Sequence, residues 1–424
     1  MRSRLAYDPW QHRQAQQHRR LSLAYRRALK DADGGVTEKP LGCGRRHDHV
    51  PSVDEGKPMP DMPKSSPTLR LDKTLWTKKE LAKVRDNFSA VVFHEGSLWL
   101  GGDEGTCIER LSQDATGNFD RHKRFDLMSL LDLPGGPKSE IDIEGLDINN
   151  GYLWLTGSHS LKRKKPEDDE SPAENLARLS HISADGNRFT LARVPLTSGP
   201  DPQPAAQTNS RTARRLEGDA QRNLLIDALA EDPHLGCFVP RLSEGRILGI
   251  PSKDNGLDVE GLAVSGDRIF LGLRGPVLRG WAVVLEMHIA ESAHGLTLGP
   301  LGTGGVAYRK HFLQLGGIGI RDLVIHEKDV FVLAGPTMDL DGPVFIYRWE
   351  KALDQASDSI IGQKDLQKVV AVPFGAGTDH AEGLTLIPHS SLSALVCYDS
   401  PDKLRLVGPD ADGVRADIFD LHAV

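Results

Sequence analysis

The feature that most constrains the fold of this 424-residue chain is a short apolar pattern that recurs along it. Three copies contain Glu-Gly-Leu, a fourth has Arg321 and Asp322 in place of Glu and Gly, and a fifth keeps only the apolar positions. The copies lie at residues 88–93, 143–148, 259–264, 320–325 and 382–387. A turn and a second apolar segment follow each copy, so the repeated unit is at least a β-hairpin.

Each repeat predicts a meander of four short strands. In the second repeat, Asn150 and Gly151 separate the first two β-rich segments, and Asn-Gly is a preferred sequence for a tight hairpin turn. A four-stranded meander repeated at roughly fifty to sixty residues is typical of a β-propeller, in which every sheet is one blade. Gly145, Gly261 and Gly383 lie at matching positions of the first strand. We expect neighbouring blades to come close together there.

The sequence leaves the number of blades open between five and six. The aligned positions 89, 144, 260, 321 and 382 are 55, 116, 61 and 61 residues apart, so one interval is about twice the others. Within it, residues 197–210 are rich in Pro, Ser, Thr and Gln, and the apolar spacing of residues 211–231 predicts an amphipathic helix. These patterns favour an all-β propeller of five four-stranded antiparallel blades with a helical insertion at residues 197–245. A propeller of six blades is the alternative.

The chain divides into an extension and a propeller domain. Residues 1–66 are basic at first and then polar with few apolar side chains, which is typical of a disordered segment. A tether to an anionic surface or to a partner is the alternative interpretation. We assign residues 67–424 to the propeller, and we expect residues 68–71 to pair with the last blade and close the ring.

Charge and composition exclude several classes of function. The net charge is −7, whereas general nucleic-acid-binding proteins carry a basic excess. The sequence has no apolar stretch of about eighteen residues, and its first residues lack the apolar segment of a secretory signal. It therefore predicts a cytoplasmic protein that has neither a membrane nor a nucleic acid as its partner. The four cysteines are widely scattered, which argues against a disulfide framework or a zinc site.

Polar side chains of the repeats should gather at the mouth of the central channel, because the inner strands of a propeller start on one face. Carboxylates placed there would suit a hard divalent cation, above all calcium. The predicted metal ligands are Asp142, Glu144, Asp258, Glu260, Asp322 and Glu382. Arg274 and Arg321 would bind an anionic group in a bidentate manner. The other predicted ligand-binding residues are Lys253, Asp254, Asn255 and His159.

This arrangement predicts a site for a small anionic ligand or phosphoester, with metal-assisted hydrolysis of a phosphoester or carboxyl ester as the activity. The predicted catalytic residues are Glu144, Glu260, Glu382 and His380, with the histidine as a general base. A structural interpretation stays open, in which each Glu accepts backbone hydrogen bonds from the next blade and pairs with an arginine. The protein would then be a non-enzymatic scaffold that holds a protein partner through this face or through the helical insertion.

Two longer segments carry a resemblance to a known family. Residues 250–264 read Ile-Pro-Ser-Lys-Asp-Asn-Gly-Leu-Asp-Val-Glu-Gly-Leu-Ala-Val, and residues 270–277 read Phe-Leu-Gly-Leu-Arg-Gly-Pro-Val. With the repeated Asp-x-Glu-Gly-Leu, they resemble the bacterial domain-of-unknown-function 3616 family over about residues 68–420. That resemblance implies a propeller fold without an assigned reaction.

The Glu-Gly-Leu strands are also distantly similar to those of phytase-like and esterase-like propellers, in which acidic channel residues bind calcium and phosphate. This resemblance implies a calcium cofactor. The chain departs from that pattern at Ser89, at the Arg321 and Asp322 copy and in its helical insertion. A phosphatase activity is therefore only an analogy here.

Overall fold

The computed structural model describes residues 60–421, apart from residues 244, 245, 303, 389 and 390. The predictions for residues 1–59 lie outside the described residues. Within the described range, the α-helices are α1 (Lys78–Asp86), α2 (Pro172–Ser180) and α3 (Leu224–Leu229), and the other helical segments are short 3-10 turns. None of them is long and apolar enough to cross a membrane.

Strands dominate the described part of the chain. The first fifteen are β1 (Thr68–Arg70), β2 (Phe88–His94), β3 (Ser97–Gly102), β4 (Cys107–Gln113), β5 (Phe119–Asp126), β6 (Ile143–Asn149), β7 (Tyr152–Gly157), β8 (Lys162–Arg163), β9 (Ile182–Ser183), β10 (Leu191–Pro195), β11 (Gln207–Thr208), β12 (Arg211–Thr212), β13 (Arg214–Arg215), β14 (Arg241–Ser243) and β15 (Arg246–Leu248). The next fifteen are β16 (Asp258–Ser265), β17 (Arg268–Gly275), β18 (Ala282–Glu291), β19 (Leu296–Gly299), β20 (Tyr308–Leu313), β21 (Gly319–His326), β22 (Asp329–Gly335), β23 (Val344–Trp349), β24 (Ser359–Ile361), β25 (Leu366–Val372), β26 (His380–Ile387), β27 (Ser393–Asp399), β28 (Leu406–Val407), β29 (Gly413–Arg415) and β30 (Asp417–Asp420).

These strands form a propeller-like, all-β arrangement. Its larger sheets run β2-β3-β4-β5-β1-β29-β28, β6-β7-β10-β13, β16-β17-β18-β20-β24 with β19 beside β18, β21-β22-β23-β25, and β26-β27-β30. We call them the first to the fifth sheet, and each contains one repeat as the strand at its inner edge. These inner strands pack in a cycle: β2 contacts β6, β6 contacts β16, β16 contacts β21, β21 contacts β26, and β26 contacts β2.

The repeat glycines lie where neighbouring sheets come closest. A Cβ atom on Gly145 would lie 2.6 Å from the Leu262 Cβ atom of the third sheet, and one on Gly383 would lie 2.8 Å from Val91 of the first. Either contact is too short for a real side chain. The packing role predicted for these glycines is therefore confirmed, and buried apolar clusters fill the interfaces between the sheets on either side of them.

The start of the described chain connects the fifth sheet with the first, but not as predicted: residues 68–70 lie in the first sheet between β5 and β29, and residue 65 makes the contact with the fifth sheet. Strand β1 pairs antiparallel with β29, and Ser65 forms a β-bridge with Ile418 of β30. Asp61 exchanges hydrogen bonds with Ala371, its backbone amide donating to the carbonyl of Ala371 and its carboxylate accepting from the amide. Residues 61–66, which the sequence analysis placed in the extension, therefore pack on the fourth and fifth sheets.

The helix predicted over residues 211–231 is wrong over most of its length. Arg214 and Arg215 instead form β13, which pairs with β10 at the outer edge of the second sheet. Gly218 then adopts a φ of 156°, which ends any regular structure before α3 begins at Leu224. The apolar spacing reflects burial, because Leu216 and Leu229 are both in the core, but a strand, a turn and a short helix provide it.

Candidate functional site

A cavity of about 830 Å³ opens at the ends of the inner strands. Each inner strand has a β-bulge against the second strand of its sheet. The bulge lies at the Glu position of the Glu-Gly-Leu repeat, where one residue of the inner strand has no partner in the pairing. The residues at these β-bulges are Ser89, Glu144, Glu260, Arg321 and Glu382. A bulge redirects a side chain out of the regular alternation of the strand. This explains why the motif residues gather around the channel.

Arginines join the carboxylates on one side of the channel. The Arg274 guanidinium contacts Asp258 and lies 2.7 Å from Glu260. Arg321 lies 2.9 Å from Glu260 and 2.9 Å from Glu382, so it links the third, fourth and fifth sheets. All five side chains are largely buried. Although burial works against it, the charges of Asp258 and Glu260 hold the pKa of Arg274 well above its usual range.

On the other side of the channel, Asp103 and Glu144 have no arginine partner among the described residues, and they lie beside Glu382. Oxygen atoms of Asp103, Glu144 and Glu382 lie within 4.8 Å of one another. Glu144 is only 7% exposed, and no hydrogen bond or ion pair reaches its carboxylate from the described part of the chain. One buried oxygen of Asp103 also has no hydrogen-bond donor among the described residues. This side of the channel therefore has buried acidic groups that no ion pair within the described residues neutralises.

The crowding changes the proton affinity of these groups. Burial, followed by the neighbouring carboxylates, raises the pKa values of Glu144 and Asp103 well above their usual range. Burial also raises the pKa of Glu382 to about 8, although Arg321 acts in the opposite direction. Three carboxylates this close cannot all be ionised without a cation beside them. Their oxygen atoms are the ligands that a hard divalent cation such as calcium prefers.

The remaining predicted metal ligands do not join this group. Asp142 pairs with Arg188 at 2.6 Å, and Asp258 pairs with Arg274. Asp322 lies outside the cavity, because its two oxygens accept the backbone amides of Leu323 and of Leu384 in the next sheet. It follows the bulge by one residue and points away from Arg321. Its place among the predicted ligands is thus corrected to that of a tie between sheets.

The predicted ligand-binding residues are divided between the cavity and its supports. His159 is fully buried, with its ring nitrogens 2.8 Å from the Gly157 carbonyl and from the Asn223 side chain. Burial lowers the pKa of His159 to about 4. The histidine therefore supports the wall as a neutral ring and does not reach the cavity. Arg274 and Arg321 line the cavity but already pair with carboxylates, so the bidentate anion contact expected of them is replaced by these ion pairs.

The segment at residues 253–255 contributes one side chain to the rim. Lys253 lines the cavity and lies 3.2 Å from Asp339. Asp254 pairs with Arg163 at 2.8 Å, and Asn255 accepts the backbone amide of Val277 while adopting a φ of 66°. Asn255 is therefore a turn residue.

The last predicted catalytic residue, His380, does line the cavity. Its ring nitrogens lie 3.3 Å from Asp341 and 3.7 Å from Asp399. Its contact with Asp399 is the main cause of a raised pKa, since this carboxylate favours the charged ring. By contrast, Glu260 is enclosed by two arginines, which leaves it no free position for proton transfer.

The predicted site lacked Asp103 and Arg188. Asp103 follows β3 in a glycine-rich loop that the sequence already places at the channel mouth, although Asp103 was not among the predicted metal ligands. Arg188 lies in a 3-10 turn before β10 and has no counterpart in the repeat, so no sequence signal singled it out.

Comparisons with known proteins add a family but no activity. A family model described as "Protein of unknown function (DUF3616)" matches residues 87–417. No curated protein matches the chain.

Several solved structures are similar at a low level. The Myxococcus xanthus glutaminyl cyclase is 11% identical over 79% of this chain and 93% of that chain, with a TM-score of 0.35. The aldose sugar dehydrogenase from Streptomyces coelicolor, in its PQQ-bound form, is 11% identical over 84% and 99%, with a TM-score of 0.31. A putative 6-phosphogluconolactonase from Bacteroides fragilis is 11% identical over 73% and 76%, with a TM-score of 0.28. Scores this low carry no argument about function.

Proposed function

Since the chain belongs to the family of proteins of unknown function DUF3616, we propose a function for it from its own cavity. We propose that it binds a small anionic ligand at the channel mouth together with a divalent cation, and that it hydrolyses a phosphoester or carboxyl ester there. We also count its larger sheets as five blades, because each begins with one copy of the repeat. The part of residues 197–245 that is described supplies only short strands and a short helix, which supports five blades over six.

One observation carries the proposal. The unpartnered Glu144 carboxylate lies beside oxygen atoms of Asp103 and Glu382 at the base of a cavity, within 4.8 Å. Burying a charge without a partner is costly, and a cation at this point would remove the cost. Calcium suits the site best, because every available ligand atom is a carboxylate oxygen.

The anion would bind between this cation and a basic rim. The rim of the cavity carries Lys162, Arg163, Lys165 and Lys253. Three of them pair with carboxylates in partly exposed ion pairs, which an anion could replace at a lower cost than the buried pairs of Arg274 and Arg321. A bound cation would polarise an oxygen of a phosphoryl or carboxyl group. His380, held by Asp341 and Asp399, is placed to move a proton at the same cavity wall. Glu382 faces both the cation ligands and Arg321, so we assign it to binding.

Calcium titration by calorimetry and by thermal unfolding tests the proposal. We expect calcium to raise the melting temperature of the wild-type chain and EDTA to reverse the effect, and we expect Glu144→Gln to abolish this shift. Glu104→Gln is the matched control, since Glu104 lies on the exposed rim beside Lys83 and should keep the shift. A calcium shift that survives in Glu144→Gln would contradict the cation site. Assays with generic phosphoester and carboxyl-ester substrates then separate hydrolysis from binding alone.

Scaffolding is the second candidate function, and exposed apolar side chains favour it. Leu242 and Leu248 lie on the hairpin of β14 and β15 at the end of the predicted insertion, and each is about half exposed. A protein partner that covers this hairpin would account for them. Co-purification that is lost in a Leu242→Ser and Leu248→Ser variant, together with no calcium effect and no turnover, would favour the scaffold.

A further inference from the structure

The channel cavity has one apolar border in an otherwise largely polar and charged lining. Met338 is 38% exposed and Leu340 is 60% exposed, and both line the cavity from the loop between β22 and β23. Single exposed apolar side chains are common on protein surfaces, but these two lie together at the edge of a charged cavity, where the apolar part of a ligand would contact them. We call these two side chains the apolar lip.

Contacts with residues of two other repeats hold the loop that carries the apolar lip. Asp341 accepts the backbone amide of Gly377 and lies 3.3 Å from His380, and Asp339 lies 3.2 Å from Lys253. The two aspartates thus contact residues of the third and fifth repeats, while Leu340 between them and Met338 before them stay partly exposed. Met338 also adopts a φ of 57°, a conformation that is unfavourable for a side chain of this kind. Such strain persists where surrounding contacts hold it, and it is common at ligand sites.

An apolar crevice continues the apolar lip away from the cavity. It is lined by Pro336, Leu340, Val344 and Phe374, and it shares Arg321 and His380 with the main cavity. Only about 10 Å³ of this crevice is open, so an apolar group would lie across it, over Leu340, and would not enter it. The charged groups and the apolar surface are therefore continuous.

We propose that the ligand of this cavity is a small ester or acid that carries both an anionic group and an apolar chain, with the chain packed on Met338 and Leu340. This inference rests on the proposed function for the position of the anionic group. It adds the class of ligand: a monoalkyl or monoacyl anion, and not a bare inorganic anion or a sugar phosphate. Charge complementarity orients it, because the basic rim and the cation site lie on the cavity side of the apolar lip.

Calorimetry with inorganic phosphate, methyl phosphate and hexyl phosphate, each in calcium and in EDTA, tests this class. Burial of one methylene group strengthens binding by up to about fourfold. Because the lip is open on one side, we expect hexyl phosphate to bind roughly tenfold more tightly than methyl phosphate. Leu340→Ser should remove most of that preference and leave methyl phosphate binding unchanged. Ile360→Ser is the matched control, since Ile360 is 72% exposed on β24 and does not line the cavity, and it should keep the preference.

The outcomes separate the inference from the proposed function. Equal affinities for methyl and hexyl phosphate in calcium, with both lost in EDTA, would overturn the apolar lip and leave the cation site intact. A preference for hexyl phosphate that Leu340→Ser does not reduce would also overturn it. If the hexyl preference depends on Leu340 but is the same in EDTA, the apolar lip holds and the cation-dependent function fails.

Discussion

Glu144 and Glu260 occupy the same position of the same repeat, yet the two sides of the channel use them differently. Both lie near the start of an inner strand with the Asp-x-Glu-Gly-Leu pattern, and both project from a β-bulge. Glu260 is enclosed by Arg274 and Arg321, whereas no partner reaches Glu144 from the described residues. The repeat therefore sets the position of the carboxylate, and the surrounding side chains determine whether an arginine neutralises it.

This difference reconciles two interpretations of the repeat. The side with the arginines is a structural ring of ion pairs, since Arg321 links carboxylates of the third and fifth sheets and Arg274 pairs with two carboxylates of its own sheet. The side with Glu144 and Asp103 lacks those cations, and we propose that a divalent ion and its ligand complete it. Loss of a side chain with only a structural role should lower the free energy of unfolding with or without a ligand. A buried carboxylate that binds a cation should instead lower the free energy of unfolding as long as the cation is absent.

Removing an arginine should break the structural side and have the largest effect. Arg274→Met leaves Asp258 and one side of Glu260 buried without their counter-charge, so we expect the free energy of unfolding to fall by about 3 kcal/mol. Urea denaturation followed by circular dichroism measures this change. Arg163→Met is the control, since its pair with Asp254 is partly exposed and should be worth about 1 kcal/mol or less. Similar losses in the two variants would contradict a buried structural ring.

The glutamates themselves should respond with opposite signs. In EDTA, Glu260→Gln removes a charge that two arginines need, and we expect a loss of about 2 kcal/mol in the free energy of unfolding. Glu144→Gln removes an unpaired buried charge, and we expect a gain of about 1 kcal/mol. Parallel urea titrations of the two variants at pH 8 give both values. A loss in Glu144→Gln comparable to that in Glu260→Gln would show that the two sides of the channel are alike.

The sequence was sufficient for the repeat, the all-β arrangement and the gathering of the motif residues. It could not show which carboxylates have partners, because Arg188 comes from a turn outside the repeat and Asp103 from a loop. Asp322 points away from the cavity, unlike Arg321, because of the β-bulge at Arg321. A β-bulge has no simple signature in the types of residue along a strand, so the sequence could not predict this orientation. The helix expected over residues 211–231 failed for a related reason, since burial of Leu216 and Leu229 set the apolar spacing without a helix.

A last prediction uses pH to sharpen the comparison. Burial raises the pKa of Glu382 to about 8 from 4.5, so between these values the folded chain binds a proton that the unfolded chain has released. Stability in EDTA should therefore fall as pH rises through this range, by at most about 1.4 kcal/mol per pH unit for one group. The raised pKa values of Asp103 and Glu144 act in the same direction.

We expect Glu382→Gln to make the fall in stability from pH 6 to pH 7 smaller by about 1 kcal/mol. Calcium should also reduce this fall in the wild-type chain, because a cation favours the ionised carboxylates. Urea titrations at the two pH values measure the slope, and Glu104→Gln, at the exposed rim beside Lys83, serves as the control. If stability rises with pH in EDTA, paired carboxylates dominate the channel, and the unpaired side has no distinct role.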